Sequence, residues 1–400
     1  MNGDHLDVLV VAGGPCWPAV NGGRARTGAL ALALAREFEV AVAAPPDPTE
    51  VYLNKSPLWR IELPAREPPS LRHRIGIRPS LGRAVLGRAA LAVLAKVIDR
   101  TQPRFVLYAM SYLAAVGPEQ HTAAVVVDFA NIEAERLASL AGVGPLRRRA
   151  SAAAESVKAQ VWEPKVARIA DLAVAVSDAD AAHLMEWGAD VVVVPNVADP
   201  VQDAMPSDPG GTVVFVASFG YAPNAEAARD VLRHVWPRVL ARVPDAKLVL
   251  AGHESERYFG WAREVRGVSV AGEVASVDTI LADAAIVLGP VTRGGGTQLK
   301  VVQALAARRV VVATPYSARS APRELASCCV VADDWSGYAD AVVNLLTDVE
   351  RRHTLEAALR RAEVRGWNDA VAPLIERLRS IASYRTSGLS QVGRAVAAGL

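Results

Sequence analysis

Residues 289–306 read GPVTRGGGTQLKVVQALA. Three consecutive glycines, Gly294, Gly295 and Gly296, run into a segment with helical spacing, directly after the apolar run Ala285–Leu288. Glycine gives up the most conformational freedom on folding, so three in succession in a regular pattern need a reason. A turn leading from a strand into a helix supplies one: backbone N–H groups and the positive end of a helix dipole suit an anion such as a diphosphate. Thr297 and Lys300 fall in the first turn expected for that helix. Gly296, Lys300 and Gln303 share one stripe at i, i+4 and i+7, while Leu299, Val302 and Ala306 form another, fit for a core.

Outward from this turn, β-branched runs alternate with helical stretches. The strands expected in the first half are Leu6–Ala12, Phe38–Ala44, Arg104–Ala109, Ala123–Val127, Leu172–Val176 and Asp190–Val194. They are almost continuously apolar, as strands buried on both faces of a parallel sheet must be. Helices are expected over Ala25–Glu37, Ser80–Arg100 and Leu146–Ala170. The alternation breaks at Val197–Gly211, VADPVQDAMPSDPGG, which reads as a linker. It restarts with strands Thr212–Ala217, Ala246–Ala251, Val268–Ala271, Ala285–Leu288, Val310–Ala313 and Cys328–Val331. The pattern predicts an α/β fold of two doubly wound, Rossmann-like domains with right-handed crossovers. The division expected is residues 1–197, 198–365, and a helix with a polar tail over 366–400 that returns to the first domain.

Bulk properties exclude several classes. The chain has 400 residues, room for two domains, and 51% hydrophobic residues can build their cores. Forty-four basic and 42 acidic residues leave a net charge of +2, without the basic excess that nucleic-acid binding needs. Three cysteines form neither a disulfide framework nor a metal pattern, so a reducing cytoplasm is expected. The opening MNGDHLDVLVVAGGP has acids where a signal peptide needs bases, and reads as a first buried strand. No apolar run reaches 18 residues. Asp178-Ala-Asp180 resembles a metal motif, but Ser177 or Asp178 as a helix cap explains it more simply. No metal and no resident cofactor are expected. The basic stretch Leu71–Arg100 suits a solvated helical face, with weak contact to an anionic membrane surface as the alternative.

Open α/β sheets bind ligands beyond the carboxyl ends of their strands. Three further loops there hold candidates. Gly13–Arg24, GGPCWPAVNGGR, places Gly22 and Gly23 before a helix; it lacks the dinucleotide fingerprint. Asp128-Phe-Ala-Asn131-Ile-Glu133 offers Asp128 and Asn131 to sugar hydroxyls, or Asn131 as a helix cap. Val216–Asn224, VASFGYAPN, offers Ser218 and Gly220, with Pro223-Asn224 opening a helix over Ala225–Leu240.

Taken together and in order, these segments resemble the glycosyltransferase group 1 family, retaining enzymes of the GT-B fold. VVFVASFGYAPNAEAARDVLRHVWPRVLARVPDAKLVLAG and VTRGGGTQLKVVQALAARRVVVATP carry the likeness, with DFANIEAER and VSDADAAHL…VVVVPNVAD in support. The resemblance implies two facing domains and a sugar-nucleotide donor, UDP- or GDP-linked. It implies a diphosphate held by Gly295, Gly296, Thr297, Gln298 and Lys300, with Gly22, Gly23 and Ser218 nearby and the base against Gly272, Glu273 and Val274. Lys300, Asp128 and Asn131 are the residues expected to act in the reaction. The family's Glu-x7-Glu pair falls on Gly295 and Gln303, so glutamine stands where glutamate usually holds the ribose. "A-x-G-x-P-V-V" has become Ala306-Ala307-Arg308-Arg309-Val310, and "P-N-G-V" Pro195-Asn196-Val197. The expected acceptor is a small natural product such as an antibiotic precursor, with a cell-envelope glycan precursor as the alternative. A sugar-nucleotide epimerase and a non-catalytic nucleotide-binding relative are the other readings.

Overall fold

A computed structural model describes residues 6–17, 19, 21–46, 58–68, 76–118, 122–201, 205–208, 211–274 and 276–386. Two parallel sheets organise it. The first has strands in the order β3-β2-β1-β4-β5-β6-β7: Val8–Val11 (β1), Val40–Ala44 (β2), Trp59–Glu62 (β3), Phe105–Tyr108 (β4), Ala124–Phe129 (β5), Leu172–Ala175 (β6) and Val191–Val193 (β7). The second runs β10-β9-β8-β11-β12-β13: Thr212–Val216 (β8), Leu248–Ala251 (β9), Val268–Gly272 (β10), Ala284–Gly289 (β11), Val310–Ala313 (β12) and Cys329–Val331 (β13). Each is doubly wound, with strand order reversing between β1 and β4 and between β8 and β11. The loops after these four strands therefore border the crevices where such sheets take ligands.

The central strands are buried on both faces, the physical counterpart of their apolar runs. β3 was not expected, because its pattern, exposed at both ends, gives no such run. The expected helix Ser80–Arg100 breaks at Leu86-Gly87 into Ser80–Val85 and Arg88–Thr101. On the second piece Ala90, Leu94, Val97 and Ile98 face the core and Arg88, Lys96 and Arg100 face solvent. Leu71, Arg72 and Arg74 lie outside the described residues. No helix of the described residues is long and apolar enough to cross a membrane. The helix expected over Ala225–Leu240 runs from Ala222 to Arg242 and widens into a π-turn at Val231–Val235. Pro237 follows at once, and the wider turn accommodates its missing N–H. The last helix, Trp367–Thr386, puts Ala370, Val371, Leu374 and Leu378 into the core of the first sheet, beside Leu30 and Leu34. The chain thus crosses between domains twice.

The family's glycine after β11's helix is explained at Arg308, whose φ of 61° is left-handed. The arginine is held there by donating to the Leu359 carbonyl at 2.5 Å. Its neighbour Arg309 donates to the carbonyls of Leu281, Ala282 and Met205, tying the linker to the second sheet. Alanine at 308 would keep the left-handed strain and lose the hydrogen bond; glycine would lose only the bond. Both substitutions should destabilise, with Arg308→Gly milder than Arg308→Ala by about 1 kcal/mol. Urea unfolding of the three proteins checks this, and equal losses would remove backbone strain as the cause.

Candidate active site

The helix after the glycine turn begins at Leu299, later than the sequence spacing suggests. Gly296 therefore stands outside it, and the stripe with Lys300 and Gln303 does not form. Gly294 and Gly296 have positive φ, 144° and 72°, so the turn is a conformation other residues rarely adopt. Gly295 is there for space. A Cβ on it would lie 2.3 Å from Arg136 Cγ and 3.0 Å from Arg136 Cα, and one on Gly296 would lie 2.2 Å from Asn131 Oδ1. Both neighbours belong to the first domain, at the start of the helix Glu133–Leu140. Gly22, too, would bring a Cβ to 3.1 Å from Leu299. The two domains meet on this turn, backbone close to backbone.

Lys300 sits in the helix's first turn. Its Nζ donates to Asn224 Oδ1 at 2.9 Å and Gln298 Oε1 at 3.0 Å, and it lies over the Phe215 ring at 5.6 Å from the centroid. The side chain as a whole is half-buried, but the ammonium is enclosed. Desolvation lowers its pKa to about 7. Asn224 lies inside the helix Ala222–Asp230, where Tyr221 is the cap position, and its Nδ2 holds the Ser218 carbonyl at 2.9 Å. Tyr221 turns its hydroxyl to accept from Gly295 N–H at 3.3 Å, and Ser320 Oγ accepts from Gln298 N–H at 2.8 Å. The N–H groups of Gly296 and Thr297 have no partner among the described residues.

Gly294 to Thr297, Asn131 and Arg136 line the wall of an interdomain cleft of about 1410 Å³, shared with Asp178, Tyr316, Arg319 and Arg323. Lys300 does not line it; the ammonium lies under the turn. Gln303 is turned away as well, into a small cavity of about 180 Å³ with Ala25, Asp278 and Trp367. Gly272, at φ 72°, and Glu273 close β10, where Glu273 Oε1 pairs with His253 Nδ1. Val274 packs instead against the core below.

Asp128 requires correction. Its side chain is 1% exposed and both oxygens are taken by Arg26, Nε and Nη2 each at 2.8 Å. A carboxylate so engaged cannot reach a substrate. Asn131 does not cap a helix: the amides of Glu133 and Ala134 are received by Glu163 at 2.8 and 2.9 Å. Burial raises that carboxyl to about 7. Glu163 was missed because it comes from the long helix Leu146–Ile169, with no local signal. Gly22 and Gly23 open the first helix, Gly22–Leu34, capped by Asn21, rather than preceding it. Ser177 caps Asp178–Glu186 by accepting from Asp180 N–H at 3.1 Å, the ordinary explanation of that acidic pair. Among the described residues no group of three His, Cys, Asp or Glu could hold a metal ion.

Two facing doubly wound domains joined by a linker and a returning helix define the GT-B architecture. The whole chain superposes on sucrose-phosphate synthase from Thermosynechococcus elongatus with a TM-score of 0.67 at 15% identity, covering 97% of this chain and 100% of that one. WaaG, a glycosyltransferase involved in lipopolysaccharide biosynthesis, gives 0.61 at 13%, covering 96% and 100%. HepE from Anabaena, in complex with UDP and glucose, gives 0.58 at 14%, again covering 96% and 100%. Comparison with curated proteins gives no match. Residues 210–348, which include the glycine turn and Lys300, match the family model described as glycosyl transferases group 1. Over those residues, which carry the second sheet, the chain is similar to the group 1 glycosyltransferases.

Because Gly295 lies outside the left-handed region, alanine there meets no backbone penalty of its own, only Arg136. Gly295→Ala should leave each domain folded and separate them, raising the radius of gyration in small-angle scattering. A profile identical to wild type would show that the turn yields instead.

Proposed function

We propose that the protein transfers a sugar from a nucleoside diphosphate sugar, UDP- or GDP-linked, to a small acceptor, with retention and without a metal. The observation that carries the reading is the β11 turn at the switch point of the second sheet. It presents two unpartnered N–H groups, those of Gly296 and Thr297, above an enclosed lysine with no carboxylate bonded to its ammonium. An anion laid on the turn would find donors in place and would draw charge onto Lys300. Gly272 and Glu273 end β10, the edge strand of the same sheet, with β9 and β8 between it and β11. The cleft exceeds the roughly 300–1,000 Å³ of an ordinary ligand pocket, room for a second, small molecule beside the donor. A small natural product is the acceptor we favour over a glycan polymer. Neutralisation by Lys300 and amides would take the place of a metal at the leaving diphosphate.

The lysine makes the proposal testable by proton counting. Its pKa is about 7 in the empty site, against an ordinary value of 10.5, and a bound diphosphate would raise it. Binding should therefore take up a proton above pH 7, so nucleotide affinity falls as pH rises from about 7 towards 10. Calorimetry at pH 8 in buffers of different ionisation enthalpy should show close to one proton taken up, and none for Lys300→Met. The unbound protein has the opposite trend: unfolded lysine binds a proton that the folded one sheds, so stability rises over the same interval. Proton-neutral nucleotide binding in the wild type would detach Lys300 from the diphosphate.

Turnover gives a second check. Removing a preorganised charge from a developing anion typically costs about 10²–10³ in rate. Lys300→Ala should lose that much in kcat for transfer or hydrolysis of UDP- or GDP-sugars while its thermal midpoint stays close to wild type. An alanine variant of near wild-type rate would exclude the lysine from the reaction.

A further inference from the structure

Arg26 is a sequestered charge in the first domain, with its side chain 2% exposed. All three of its nitrogens are engaged. Nε and Nη2 bind Asp128 at the end of β5, and Nη1 donates to the Val194 carbonyl and to Asn196 Oδ1, both at 3.0 Å. Those last two acceptors lie just past β7, where the chain leaves the first domain. The amide of Asn196 then donates from Nδ2 to Thr297 Oγ1 at 3.0 Å, across the domain boundary.

The order of these bonds has a direction. A guanidinium can only donate, so it fixes the Asn196 oxygen towards itself and the Asn196 NH₂ towards Thr297. A flipped amide would set NH₂ against Arg26 and leave Thr297 without its donor. The buried ion pair in turn fixes the guanidinium, because removing either charge would leave the other uncompensated. Thr297 is the residue whose N–H, with that of Gly296, stands unpartnered in the turn.

We propose that Arg26 is a positioning residue: through Asn196 it latches Thr297, setting both the domain register and the aim of the Gly296–Thr297 amides at the donor. The second part of this rests on the donor reading above; the first does not. The reaction itself involves no proton or electron passing along the relay.

The test breaks the Asn196–Thr297 bond from either side and leaves the Arg26–Asp128 pair intact. Asn196→Leu, close in size, removes the donor to Thr297 and one acceptor of Arg26, which keeps Asp128 and the Val194 carbonyl. Thr297→Val deletes the acceptor, and Thr297→Ser keeps it. Calorimetry with UDP and GDP should show both Asn196→Leu and Thr297→Val weakening binding about tenfold, the double variant no weaker than either, and Thr297→Ser near wild type. Thermal midpoints should stay within a few degrees. Additive losses, or a lowered midpoint with unchanged nucleotide affinity, would overturn the latch.

If wild type binds neither nucleotide, the donor reading fails and the latch is read in the unliganded protein. Cys16, Cys328 and Cys329 are buried, so spin labels can be directed to Leu146→Cys and Trp261→Cys, both exposed and one in each domain. The distance distribution should be narrow with Asn196 intact and broad in Asn196→Leu. An unchanged distribution would overturn the proposal on its own.

Discussion

Everything at the centre of this protein depends on how closely one backbone approaches another at Gly295 and Gly296. The start of the helix Glu133–Leu140 presses Arg136 and Asn131 into space that any side chain on the turn would occupy. A glutamate at 295, the other residue of the family at that position, would not fit against Arg136 in this domain arrangement. The glycine run thus answers two demands at once: the left-handed geometry of the turn, and the contact that brings the first domain over it.

That approach has to be held, because each domain carries its own core. The hold is polar and directional. Glu163 receives the first amides of the helix that bears Asn131 and Arg136, and Tyr221 and Ser320 receive amides of the turn itself. Arg136 forks onto Glu133 at 2.6 and 3.0 Å, which keeps it from swinging into the cleft. Hydrogen bonds of this kind are individually worth about 1 kcal/mol, and more when charged, but their geometry is fixed. They decide how the two cores sit more than how stable either is.

The turn also departs from a simple phosphate cradle. Lys300 is folded beneath it, on Asn224 and Gln298, and the large cleft opens on the other side. A donor diphosphate would meet amides first and draw the lysine's charge through the turn. The lowered pKa of the ammonium follows from that placement: it is kept from water without a carboxylate in compensation.

Periodicity and composition by themselves determined the two-domain α/β plan, nearly every central strand, and the glycine turn as the place to look. Strands buried on both faces write themselves as apolar runs, and a strand-to-helix turn rich in glycine leaves a local mark. Beyond that, the tertiary structure decided. Asp128 looked like a reacting group until Arg26, 102 residues away, closed on it. Gln303 was expected beside a ribose, and its side chain lines a separate small cavity with Ala25 and Trp367. Glu163 left no signal, and Asn196 and Arg136, although they lie in segments that carry the family resemblance, were given no role. Whether a polar side chain faces substrate or another side chain depends on partners distant in sequence, and on the rotation of a helix by a residue or two. Neither is written in the spacing of a single segment.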